Sequence, residues 1–149
     1  MDALEYLDMI VDPTIAEFER EPTCRRRAFL ACVVTFHTVD YLEASMGSTG
    51  LRQQFCREYE DFLLIDRVAH AFKHVETGSN KSGSPKLPLL VSEIGSRPPA
   101  RLGQMKLGLS RLGDATGGVA TAFGRGKDLL APVKHAAAFL RRKAMESPQ

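Results

Sequence analysis

Apolar residues in the first half of the chain recur at the three- and four-residue spacing of amphipathic helices. The spacing predicts helices over about 2–20, 24–44, 51–59 and 61–76, with breaks at proline and glycine residues. Residues 24–44 are apolar nearly all round, which predicts a helix in the middle of a bundle. Over 61–76 one broad apolar arc is formed by Phe62, Leu64, Ile65, Val68, Ala69, Ala71, Phe72 and Val75.

Capping signals predict where these helices begin. Asp2 and Thr23 have side-chain oxygens that can accept from the first free backbone N–H groups of a helix, so each is a predicted N-cap. Asp12-Pro13 has the signature of a helix restart, which predicts a kink or a new helix there. Asp128 is the predicted N-cap of a last helix that runs to about Ala144.

The chain changes character after Val75. Residues 77–126 hold 10 of the 12 glycines and 4 of the 8 prolines. Such a stretch buries little surface, so we expect loop, partly mobile, with strands at 87–94 and 118–123. The expected fold class is mainly α: a four- or five-helix bundle whose Gly/Pro-rich insertion carries a short β-hairpin before the C-terminal helix.

A chain of 149 residues with 44% apolar and 26% charged residues is expected to form one soluble domain around one core. Residues 1–76 are the predicted bundle core and residues 77–127 the loop-rich insertion. Residues 128–149 are predicted to be a C-terminal helix that packs on the bundle.

Neither the apolar runs nor the cysteines point to a membrane or an oxidising compartment. The longest apolar run is Ala28–Val34, whereas a membrane span needs roughly 20 residues, and the acidic N-terminus lacks the pattern of a secretory signal. Cys24, Cys32 and Cys56 are odd in number and form no CxxC pair. We therefore expect a cytoplasmic protein with no membrane partner, disulfide framework, zinc knuckle or cofactor.

The net charge of +2 conceals an asymmetry between the two halves of the chain. Residues 1–80 carry 8 basic and 14 acidic side chains, whereas residues 81–149 carry 12 basic and 4 acidic ones. Clustered cations release counterions from nucleic acid, which predicts RNA as a partner of the second half. The alternative is that the two halves pack together with complementary charge.

The candidate functional residues lie on the polar face of the helix predicted over 61–76. Asp66, Arg67, His70 and His74 project within about 100° of arc, and Lys73 lies beside them on the same face. A guanidinium matches the oxygens of a phosphate group, and an imidazole titrates near neutral pH.

The sequence Arg67-Val-Ala-His-Ala-Phe-Lys-His74 has an arginine, six residues and a histidine, and it resembles the motif of HEPN-domain proteins. These are small helical bundles, often dimeric, and many are toxin or defence ribonucleases. The resemblance implies a homodimer that cleaves RNA without metal. Arg67 would stabilise the phosphorane charge and His74 would move protons or orient the 2′-hydroxyl, with Asp66 and His70 in support. Val68 departs from the polar residue usual in that family. The helix also resembles bacterial proteins with Asp-Arg-x-Ala-His-Ala-x-Lys-His, which imply no activity.

Two other interpretations of the same face remain open. In the second interpretation the face binds a metal ion. His70 and His74 are four residues apart and could bind the ion together with Asp66, and His37 or Asp40 of the preceding long helix could complete the site.

In the third interpretation the face is structural and the bundle is a non-catalytic interaction or regulatory module with a protein partner. Asp66 and His70 then form a helical pair, and Arg67 pairs with an acid of the bundle. His37 is predicted to be a buried, hydrogen-bonded core histidine, and His135 to be a surface residue.

Overall fold

The structure is a computed structural model that describes residues 1–74, 76–77, 89–100, 102–108, 110, 119–122 and 127–146. The side chains of residues 73, 74, 76, 77, 89, 90 and 119 are not among those described. Much of the predicted loop lies outside these residues, so its expected mobility stays a prediction.

Helices make up most of the described chain, as the sequence predicts. They are α1 (Ala3–Tyr6), α2 (Asp12–Arg20), α3 (Arg25–Met46), α4 (Leu51–Glu58), α5 (Glu60–His74) and α6 (Leu130–Glu146). A π-helical turn over Leu7–Val11 joins α1 to α2.

A new α-helix begins at Asp12 as predicted, but the helical backbone is not interrupted there, because Asp12 is itself helical and its N–H donates to the carbonyl of Leu7. Pro13 has no N–H and its ring would clash with the carbonyl four residues earlier in a regular helix. The wider π turn before it accommodates the proline without ending the helix.

The three predicted N-caps have different outcomes. Asp2 is confirmed, since its Oδ1 accepts from the backbone N of Glu5 at 2.8 Å. Thr23 is wrong, because α3 has Cys24 at the capping position and no side-chain cap there. Asp128 is also wrong: it lies in a strand, and its carboxylate binds Arg97 through contacts of 3.0 and 3.1 Å.

The described strands are short and form two sheets. They are β1 (Glu76–Thr77), β2 (Leu89–Leu90), β3 (Gly95–Arg97), β4 (Val119–Ala122) and β5 (Lys127–Asp128). Strands β1 and β2 pair antiparallel, and β4 pairs antiparallel with both β3 and β5. The strand predicted at 118–123 is confirmed by β4, and the hairpin before the last helix by β4 and β5. The strand predicted at 87–94 is interrupted, because a 3-10 turn over Val91–Glu93 separates β2 from β3.

Helix α5 is the most enclosed of the long helices. Every side chain from Phe62 to Asp66 is buried, as are Val68, Ala69 and Ala71. Phe72 was predicted on the apolar arc but is 54% exposed. It lies near the end of α5, where its ring packs on that of Phe29 at 4.7 Å.

Helix α3 packs against all the other helices, in line with its predicted central place. One of its faces is nevertheless open to solvent, and that face includes Arg26, Leu30, His37 and Asp40. An apolar composition therefore does not enclose α3 completely.

The basic second half of the chain binds the acidic first half. Ion pairs join Lys127 to Glu60, Lys134 to Glu19, His135 to Asp61, Arg141 to Asp8 and Asp12, and Lys143 to Glu58. These pairs connect α6 and the preceding strand with the π-helical turn, α2, α4 and α5. The structure thus supports complementary packing as an account of the charge asymmetry.

Among the residues that the structure describes, no helix combines the length and the apolar character that crossing a membrane requires.

Candidate functional site

Asp66 lies in the middle of the predicted polar face, and the structure turns it inward. Its side chain is only 1% exposed. Arg52 of α4 reaches it with Nε 2.6 Å from Oδ1 and Nη2 3.4 Å from Oδ2. A buried carboxylate is stable only when it is paired or hydrogen-bonded. At Asp66, this face of α5 therefore packs on α4 instead of facing solvent.

His70 lies one turn further along α5 and is half-buried. Its Nδ1 is 2.8 Å from the backbone carbonyl oxygen of Asp66, which can only accept, so Nδ1 carries the donated proton. The same nitrogen is 3.7 Å from Asp66 Oδ1. The predicted helical pair of Asp66 and His70 is therefore present.

The ring of Phe36 in α3 is the point at which side chains from three helices meet. The Cζ atom of Arg52 lies over this ring, 5.4 Å from its centroid. The imidazole of His70 meets the ring edge-on, with centroids 5.0 Å apart and planes at 89°. A guanidinium over an aromatic face and a ring at its edge are both favourable contacts.

His37 contacts the same aromatic ring, with centroids 5.1 Å apart. Its Nδ1 is 2.7 Å from Oδ2 of Asp40, one helical turn later. The prediction of a buried core histidine is wrong, because the side chain is 51% exposed on the open face of α3. We call Phe36, His37, Asp40, Arg52, Asp66 and His70 the Phe36 cluster.

The thiol of Cys56 in α4 shows the effect of burial on the inner side of the cluster. Burial raises the pKa of its thiol to about 12; the Asp66 carboxylate adds to the rise, and Arg52 and Arg67 oppose it. Cys56 is therefore a protonated thiol at neutral pH. Arg67 follows Asp66 in α5 and is half-buried.

For the predicted pair of Arg67 and His74, the structure gives the backbone positions of both residues, which lie in α5. The side chain of His74 is not described, so the pairing of the two side chains stays a prediction. Within the described part of the chain, no group of three or more His, Cys, Asp and Glu residues is arranged to hold a metal ion. The metal interpretation therefore gains no support from the described side chains.

No family model, curated protein or solved structure matches the chain. The resemblance to HEPN proteins therefore stays a prediction.

Sequence reasoning missed Phe36 and Arg52 as candidate site residues, and it named His37 and Asp40 only as possible metal ligands. The spacing of His37 and Asp40 on a predicted helix was a usable signal, since residues three apart lie on one face. No local signal could find Arg52, because its partner is 14 residues later and lies on another helix.

Proposed function

We propose that this protein acts on RNA and cleaves it without a metal ion at the Phe36 cluster. The observation that supports this function best is that Asp66 holds both a guanidinium and an imidazole against one aromatic ring. Its carboxylate binds Arg52, and its backbone carbonyl binds His70. Cleavage of a phosphodiester needs these two kinds of group side by side.

Arg52 is the phosphate-binding residue of this proposal. A guanidinium has five N–H donors, and the contacts with Asp66 involve only Nε and Nη2. The side chain is 38% exposed, so its remaining donors can meet a phosphate oxygen at the surface. Arg67 is the second cation of the site, as the resemblance to HEPN proteins implies.

His70 is the imidazole that transfers a proton. Because Nδ1 donates to the carbonyl of Asp66, Nε2 is the nitrogen through which the ring exchanges a proton with substrate. For His74 we retain the proton-transfer role that the resemblance to HEPN proteins implies. The proposed assembly is a homodimer, as the same resemblance implies. Asp66 is a positioning residue, since its burial keeps it away from substrate.

The test is cleavage of a mixed RNA pool by the purified full chain in excess chelator. We expect the wild type to cleave, and the variants Arg52→Gln, His70→Ala and His74→Ala to lose most of the activity. His135→Ala is the matched control, because His135 is also an exposed imidazole bonded to an aspartate but lies on α6. Absence of wild-type cleavage with and without chelator would overturn the proposal. Cleavage that requires added metal would replace it with the metal interpretation.

A non-catalytic interaction module is the second candidate, and the charge distribution favours it. Three cations of α6, Lys134, Arg141 and Lys143, already pair with acids of the first half of the chain, so these three are not a free surface for RNA. If this candidate is right, the wild type will neither cleave RNA nor bind it with the salt dependence of phosphate contacts. Gel-shift titration at two ionic strengths makes that comparison.

A further inference from the structure

When the 2′-hydroxyl of RNA attacks the neighbouring phosphate, two protons must be transferred. One imidazole accounts for only one of these transfers. One group must take the proton of the attacking hydroxyl, and another must give a proton to the departing 5′-oxygen. His70 supplies one of these groups at the Phe36 cluster. A second group of the right chemistry must therefore lie close to His70.

His37 contacts the same aromatic ring as His70. The centroid of Phe36 is 5.1 Å from that of His37 and 5.0 Å from that of His70. The two imidazoles come from different helices, α3 and α5, and Arg52 covers the ring of Phe36 from a third helix. The ring of Phe36 thus brings two imidazoles and a guanidinium into one cluster, the kinds of group that act as base, acid and phosphate ligand.

The hydrogen bond to Asp40 fixes which nitrogen of His37 faces solvent. A carboxylate only accepts, so Nδ1 at 2.7 Å carries the proton and Nε2 carries the lone pair of the neutral ring. A half-exposed imidazole with its free lone pair directed away from a carboxylate is oriented as a general base. Asp40 is itself exposed, so it holds the ring without burying it.

We propose that His37 is a further catalytic residue, the general base of RNA cleavage, with Asp40 as its positioning residue; this inference rests on the proposed function. Nε2 of His37 takes the proton of the ribose 2′-hydroxyl, and the 2′-oxygen forms a bond to phosphorus. The bond from phosphorus to the 5′-oxygen breaks, and protonated His70 gives its proton to that oxygen. The products are a 2′,3′-cyclic phosphate and a 5′-hydroxyl end, and no oxidant, reductant or metal takes part.

The experiment measures single-turnover cleavage of a fixed RNA by the full chain in chelator. We expect His37→Ala to lower the rate about 100-fold or more, the usual contribution of a general base, and Asp40→Asn to lower it less. His135→Ala is the control, because its Nδ1 is bonded to Asp61 at 2.9 Å and its side chain is 59% exposed. His37→Ala should keep the wild-type unfolding midpoint, because His37 is a surface residue.

Three readouts separate a base from a structural residue. The pH profile of the rate should lose one limb in His37→Ala, added imidazole should restore part of the rate, and binding of an uncleavable 2′-deoxy analogue should not change. Wild-type cleavage with equal rates in His37→Ala and His135→Ala would overturn this inference and leave the proposed function standing. Absence of wild-type cleavage would overturn the proposed function, and the inference with it.

Discussion

The contact between α4 and α5 and the contact between α6 and the N-terminal helices are both made with ion pairs, but the two differ in burial. At the first, the carboxylate of Asp66 is buried beneath Arg52. At the second, five pairs lie at the surface with their acids mostly exposed. The same residue types thus serve two regions with different energetics.

The difference teaches which charges are tied to the fold and which are replaceable. An exposed ion pair contributes about 0–1 kcal/mol, because water already solvates both partners. Removing one partner of a buried pair costs about 3–5 kcal/mol, because the other charge stays buried without compensation. The charge asymmetry of the sequence therefore contributes little to the stability of the fold, whereas the loss of the partner of Asp66 costs much more.

The largest expected effect tests the buried pair directly. Arg52→Met should lower the free energy of unfolding by about 3 kcal/mol, because Asp66 is left buried without its cation. Urea titration followed by circular dichroism measures the loss as a shift of the midpoint at constant slope.

Arg57→Met is the matched control, since Arg57 is an exposed arginine of the same helix. The double variant Arg52→Met with Asp66→Leu should be more stable than Arg52→Met alone, because no charge then remains buried. If Arg52→Met and Arg57→Met lowered the free energy of unfolding equally, the buried pair would be no more important for stability than a surface charge, and the two regions would not differ as proposed.

A smaller effect is expected at the surface of α6. Arg141 contacts Asp8 at 2.7 Å and Asp12 at 2.8 Å, so Arg141→Ala should lower the free energy of unfolding by about 1 kcal/mol. In about 1 M salt the loss should shrink, because the Debye length falls to about 3 Å. Thermal unfolding at two salt concentrations measures both.

Arg142→Ala provides the control for that variant, because Arg142 is the next residue and is exposed. A loss at Arg141 that did not respond to salt would show that its aliphatic stem, and not its charge, supports the packing of α6.

The smallest expected effect concerns the partly buried thiol of Cys56 at the α4–α5 contact. Burial raises the pKa of Cys56 from 9.0 to about 12. The unfolded thiol therefore loses its proton at lower pH than the folded one, so stability falls as pH rises above 9.0 toward 12. Cys56→Ser should make this decline shallower in urea titrations at increasing pH.

Cys24→Ser is the comparison for Cys56→Ser, because Cys24 lies at the start of α3, away from the α4–α5 contact. An unchanged alkaline slope in Cys56→Ser would indicate that water reaches this contact, and that the two regions differ less than the structure implies.

The sequence alone determined where most helices lie. The last helix is an example: it was predicted to follow Asp128 and to run to about Ala144, and α6 spans Leu130–Glu146. Local signals suffice for such elements, because a period of 3.6 residues and a capping side chain act within one segment. The cap at Asp2 and the strand at 118–123 were found for the same reason.

Only the tertiary structure decided which polar residues face a partner. Asp66 was predicted on an outward face and is buried by Arg52, and Asp128 was predicted as a cap and binds Arg97. His37 was predicted in the core and is exposed beside Asp40. Burial of a charged side chain is tolerated only where a partner compensates it, and the partners of Asp66 and Asp128 come from segments distant in sequence. The helices follow from local periodicity, but the Phe36 cluster exists only because α3, α4 and α5 pack together.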